Sequence, residues 1–190
     1  MKDGQWQWKL QAVANLIEGR VVDDSERVEV CIKGTVLGFP ATLEAFRSGF
    51  PFGVTYFLEV GVLEDKSAPT SDELLNLTIC PRHTRGLYSF IARILLLESK
   101  GQPVNDPRVR SNFICSYNTR QEAERFVNYP GVLEKLMRLE HYSKFSELLV
   151  RAKAGLCLSQ PQSFQSLNLD VCKETFKTMG EIGQVLFEAF

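Results

Sequence analysis

Val28-Glu29-Val30-Cys31-Ile32-Lys33-Gly34-Thr35-Val36-Leu37-Gly38-Phe39-Pro40-Ala41-Thr42-Leu43-Glu44-Ala45-Phe46 is the stretch that decides the fold. Val28, Val30, Ile32 and Val36 share one parity; Glu29, Lys33 and Thr35 share the other. Side chains alternate across a strand, so this pattern predicts a half-buried antiparallel strand with one wet face. Leu37-Gly38-Phe39-Pro40 is a turn signal, and residues 41–46 continue as a second strand, which makes a hairpin. Gly34, inside the first strand, predicts a bulge or a close backbone approach.

Upstream, Trp6, Leu10, Val13 and Ile17 recur at helical spacing before Gly19, predicting an amphipathic helix over 6–18. Downstream, Val54, Tyr56, Leu58, Val60 and Val62 alternate, and so do Leu75, Leu77 and Ile79. Residues 28–80 therefore read as a four-stranded meander. A strongly apolar helix is expected over 85–98, where Leu87, Phe90, Ile91, Ile94 and Leu95 cover more than one side. Residues 99–111 hold two prolines and a glycine and are the candidate subdomain boundary within one domain spanning 1–190.

The second half predicts a strand over 113–117 and a helix opened by the capping box Thr119-Arg120-Gln121-Glu122. Tyr129-Pro130-Gly131 interrupts that helix before a second helical segment. A hairpin turns at Gly155, and a last helix is capped by Asp170. Strands and helices segregate rather than alternate, so the fold class is α+β. The expected layout is a mostly antiparallel sheet, the meander plus a later strand and hairpin, packed by about four helices on one side.

The stretch Ile32 to Glu44, with its Gly34-Thr35 pair and the second glycine at Gly38, resembles a hairpin in a group of uncharacterised bacterial proteins that share a domain of unknown function. The later order of elements is similar too, at Asn112-Phe113-Ile114-Cys115, Leu133-Glu134-Lys135-Leu136 and Leu148 to Leu158. The resemblance implies a fold and names no activity. Some members carry membrane-spanning segments ahead of this domain.

Composition narrows the function classes. Lys plus Arg total 22 against 23 for Asp plus Glu, a formal net charge of -1. Nucleic-acid binders usually carry a basic balance or stripe, because neutralised phosphates release counterions, so no nucleic-acid partner is expected. No apolar run approaches the roughly 20 residues that span a bilayer, and no signal-like stretch opens the chain, so a cytoplasmic location is expected. The five cysteines are dispersed and odd in number, which fits buried reduced thiols better than a disulfide framework.

Chemical motifs are sparse. The P-loop, dinucleotide and nucleophile-elbow fingerprints are missing, and two histidines, His83 and His141, leave little scope for a metal centre; no cofactor or metal is expected. The paired acids at Asp23-Asp24, Glu64-Asp65 and Asp72-Glu73 fall in turn-like segments, where carboxylates serve as solvated turn formers. Cys80-Pro81-Arg82-His83 is the one compact constellation, in which an imidazole and guanidiniums beside a thiol favour a thiolate nucleophile. Arg82, His83 and Arg85, in the loop and first turn at the N-terminus of the expected helix, are the candidate ligand-binding residues for an anion. Trp6 with Trp8, and Phe50-Pro51-Phe52, are apolar features suited either to the core or to a partner surface.

Packing signals are thus complete and reactive groups do not converge. The expected function is a non-enzymatic binding or interaction module, taking a protein partner, a second copy of itself or a small ligand. The alternatives are a small thiol-dependent enzyme using Cys80 with His83, and anion or phosphate binding at Arg82 and Arg85.

Overall fold

A computed structural model describes residues 4–22, 28–46, 53–61, 75–82, 106–152 and 154–190. The helix expected over 85–98 lies outside these residues, as do His83, Arg85, the three acid pairs, the Phe50-Pro51-Phe52 stretch and 99–105 of the expected boundary loop.

The described residues form eight strands, β1 (Arg20–Val22), β2 (Val28–Val36), β3 (Phe39–Phe46), β4 (Val54–Leu58), β5 (Asn76–Pro81), β6 (Phe113–Tyr117), β7 (Glu147–Arg151) and β8 (Gly155–Gln160). Five helices accompany them, α1 (Gly4–Leu16), α2 (Pro107–Asn112), α3 (Arg120–Val127), α4 (Val132–Ser143) and α5 (Leu169–Ala189). All strands join one antiparallel sheet in the order β1-β2-β3-β4-β8-β7-β5-β6. The fold is α+β.

The hairpin of β2 and β3 forms with a tighter turn than the expected Leu37 to Pro40, since Phe39 and Pro40 already belong to β3. Val36 pairs with Phe39, which leaves Leu37 and Gly38 as a two-residue turn at φ of 50° and 86°. Positive φ at both central residues matches the right-handed twist of the flanking strands, and glycine adopts it without strain.

The four-stranded meander is corrected at its last member. β4 pairs with β8, and β5 instead lies between β7 and β6. Alternation along a strand fixes which face is buried but carries nothing about which strand lies alongside. The described end of the boundary segment is helical: Asp106 caps α2 by accepting the Arg108 amide hydrogen at 2.7 Å. Two caps differ from expectation. Thr119 precedes α3 without a side-chain cap bond, and Glu122 faces Arg125 at 3.5 Å instead. α5 is capped by Asn168, two residues before Asp170, its Oδ1 accepting from the Asp170 and Val171 amides. Between β8 and α5 the chain makes a 3₁₀ turn over Phe164–Ser166.

Strand register builds the core as rows across the sheet. Ile32, Leu43, Tyr56, Leu158, Leu148 and Ile79 are successive cross-strand partners, all fully buried. α5 covers this row, touching β2, β4 and β8, with α1 and α4 packed beside it. Each large side chain taken fully out of water contributes about 1.5–3 kcal/mol, so this layer dominates the stability. Phe176 meets the Tyr56 ring edge-on, with centroids 5.0 Å apart.

The buried polar groups under α5 are satisfied in a chain. Tyr56 Oη donates to Gln160 Oε1 at 2.9 Å, Gln160 Nε2 donates to the Ser143 carbonyl, and Ser143 Oγ donates to the Leu139 carbonyl at 2.6 Å. Arg138 ties α4 to α5 through Thr178 and Glu181.

Candidate functional site

The residues singled out from sequence are placed as follows. Cys80 sits on β5 opposite Ile114 and is 1% exposed. Arg82 is exposed just beyond that strand; its amide donates to the Asn112 carbonyl at 2.8 Å and its Nε to the Arg110 carbonyl at 2.6 Å. Arg108 is bound to Asp106 at 3.1 Å, and its guanidinium with the capping amides holds that carboxyl below its ordinary range. The structure therefore brings Arg82 to Arg110 and turns Arg108 onto a carboxylate of its own helix cap. His83 and Arg85 lie outside the described residues, so neither the pairing of Cys80 with His83 nor the full arginine site is described.

A different site emerges on the sheet face turned away from α5. Lys33, Thr42, Phe57, Cys157 and Leu149 are successive cross-strand partners on β2, β3, β4, β8 and β7, the row alternating with the core row. They line a depression of about 540 Å³ together with Glu44, Glu59, Arg151, Ala154 and Gly155. Phe57, Leu149 and Cys157 are half-buried and form its apolar floor, while Lys33, Glu59 and Arg151 are exposed around it.

Neighbouring residues set the electrostatics. Burial pushes the Cys157 thiol up to about 11, Glu147 adds to the effect and Arg151 opposes it. Burial also raises Glu147 above the ordinary carboxylate range, against the pull of Arg151. At neutral pH Cys157 is therefore a protonated thiol, a soft apolar element of the floor rather than a nucleophile. Burial pushes Cys115 and Cys172 further, to about 12. Among the described residues no group of three or more His, Cys, Asp or Glu is placed to hold a metal ion, and no helix is long and apolar enough to cross a membrane.

Sequence reading missed this site because it treats the non-core parity as solvent. The signal was present: Phe57, Leu149 and Cys157 are apolar residues at outward positions of strands whose inward positions are also apolar. What no pattern supplies is that three strands distant in sequence set these residues in one row.

Comparison with known proteins adds no relative: no family model, no curated protein and no solved structure matches the chain.

Proposed function

We propose that the protein is a non-enzymatic binding module that takes a small ligand on the outer face of its sheet. The observation that carries this reading is the depression over Phe57, Cys157 and Leu149, whose size falls within the roughly 300–1,000 Å³ of small-molecule sites. Its make-up suits binding: an apolar floor supplies affinity, and a few charged groups at the edge supply orientation. The thiol it contains is held protonated, which speaks against covalent chemistry there. Cys80 is buried, which counts against a substrate reaching its sulfur in the thiol-enzyme alternative.

Amide chemical-shift mapping with a library of small aromatic carboxylates and amines tests the reading. Saturable shifts centred on Phe57, Leu149 and Cys157, lost in Phe57→Arg, are expected. Shifts centred on Arg82, or none at all on the sheet face, would remove it.

A second reading rests on a separate patch. Leu37 and Phe187 are 53% and 57% exposed, and Phe39 bridges toward Phe187 with ring centroids 6.3 Å apart. Contiguous exposed apolar groups on a hairpin tip and a helix flank favour association with a protein or a second copy of the chain. Sedimentation equilibrium of wild type and Phe187→Glu is the test: a concentration-dependent mass that the substitution abolishes supports it, and a monomer at every concentration rejects it.

A further inference from the structure

We infer that the ligand of this outer face is a small zwitterion with an apolar side chain, of the free amino acid type, held between Glu59 and Arg151; this rests on the binding-module reading above. Glu59 follows β4, between Leu58 and Val60, both buried against α5, so it stands on the outer face. Arg151 stands on the same face, paired in register with Gly155 of β8. Gly155 in turn lies against the peptide groups on either side of Glu59: a Cβ built on it would meet the Leu58 carbonyl oxygen at 2.0 Å and the Val60 nitrogen at 2.6 Å. The order across the sheet is thus Glu59, Gly155, Arg151.

This order leaves a notch. Two strand spacings separate Glu59 from Arg151, about 9–10 Å between backbones. The position between them carries no side chain, and Gly155 cannot gain one, with φ at 99° and backbone filling the Cβ site. Among the described residues neither Glu59 nor Arg151 takes part in an ion pair, although both line one depression and bear opposite charges. One row away lie Phe57, Cys157 and Leu149, the apolar floor.

Charge complementarity selects the occupant. A carboxylate accepts two parallel N–H bonds from the Arg151 guanidinium, an ammonium donates to the Glu59 carboxylate, and the side chain rests on Phe57. Lys33 and Glu44 line the depression from β2 and β3, while at the notch itself a singly charged ligand would leave one of the two charges that flank Gly155 facing it without compensation. A bare apolar ligand would leave both.

The experiment uses the full chain and L-phenylalanine as probe, with N-acetyl-L-phenylalanine lacking the ammonium and L-phenylalaninamide lacking the carboxylate. Saturable shifts of the Phe57, Gly155 and Leu149 amides with L-phenylalanine are expected. Each analogue should bind at least tenfold more weakly, as should L-phenylalanine to Arg151→Gln and to Glu59→Gln. Both substituted side chains are exposed, and unchanged urea melts verify that the variants fold. Equal binding of the amide and the free amino acid would overturn the role of Arg151; equal binding of the acetylated compound would overturn that of Glu59. If L-phenylalanine gives no saturable shift up to about 10 mM, near the weak limit of specific recognition, the zwitterion inference fails. If aromatic carboxylates still map to this face in that case, the binding-module reading survives; if nothing maps there, both are overturned.

Discussion

The Ile17 carbonyl accepts the Thr35 amide hydrogen at 2.6 Å, locking the residue after α1 onto the last turn-side residues of β2. The contact exists because Gly34 has no side chain: a Cβ there would lie 2.1 Å from the same carbonyl oxygen and 2.8 Å from the Gly19 Cα. The obstructing atoms are backbone and cannot rotate away. Gly34→Ala should therefore cost about 2–4 kcal/mol, in the range of severe core overpacking, and urea unfolding monitored by circular dichroism measures it. A loss below about 0.5 kcal/mol would show that α1 docks without this contact.

Tyr56 and Gln160 offer a second measurement. Tyr56→Phe removes the donor to Gln160 Oε1 in an interior where Tyr56 is fully buried and Gln160 is 5% exposed. An acceptor left without its donor there costs about 1–3 kcal/mol. Gln160→Met should be at least as costly, because it also strips the Ser143 carbonyl of its donor. The double variant should cost less than the sum, since the two changes remove one shared bond. Strict additivity in a double-mutant cycle would contradict the buried chain.

Stability should fall in alkali. Burial raises Cys115 and Cys172 to about 12 from an ordinary value near 9, and raises Tyr56 well above its ordinary value. A group with a higher pKa in the folded state binds more protons there than in the unfolded chain. Its contribution is complete below the unfolded value, near pH 9 for the thiols, and is lost as pH rises toward the folded value. Urea melts at pH 8, 9.5 and 10.5 should show falling midpoints over that window, and Cys172→Ala should flatten part of the slope. A midpoint that stays level above pH 9 would refute the buried, protonated thiols.

Thiol labelling separates the five cysteines. Cys157 is half-buried with its thiol pushed up to about 11, so at pH 7.5 it should react with an aromatic disulfide reagent far more slowly than a free peptide thiol. Cys80 and Cys172, 1% and 0% exposed, should label only on unfolding. Mass mapping of labelled peptides reads the order. Rapid modification of Cys80 in the folded protein would revive the thiol-enzyme alternative.

The legible part of the molecule was its local structure. The parity of Val30, Ile32 and Val36, the turn signal that opens at Leu37-Gly38 and the alternation through Tyr56 and Leu58 each constrain a few neighbouring residues, and the strands formed there, with β3 starting two residues earlier than expected, at Phe39. The three-residue β1 was not legible, because Arg20, Val21 and Val22 are too few to show a period. Asn168 displaced Asp170 as cap because both residue types suit the role, and only the path of the chain into α5 selects between them.

Sequence by itself determined the longer strands and helices among the described residues, and which face of each enters the core, since periods of 2 and 3.6 residues are local properties of the chain. Tertiary structure alone decided that β4 pairs with β8 and not β5, and so that Glu59 and Arg151 flank Gly155 over the Phe57, Cys157 and Leu149 floor. The physical reason is that strand pairing satisfies backbone hydrogen bonds common to every residue. The choice of neighbour therefore falls to the packing of whole faces, which no short stretch of sequence contains.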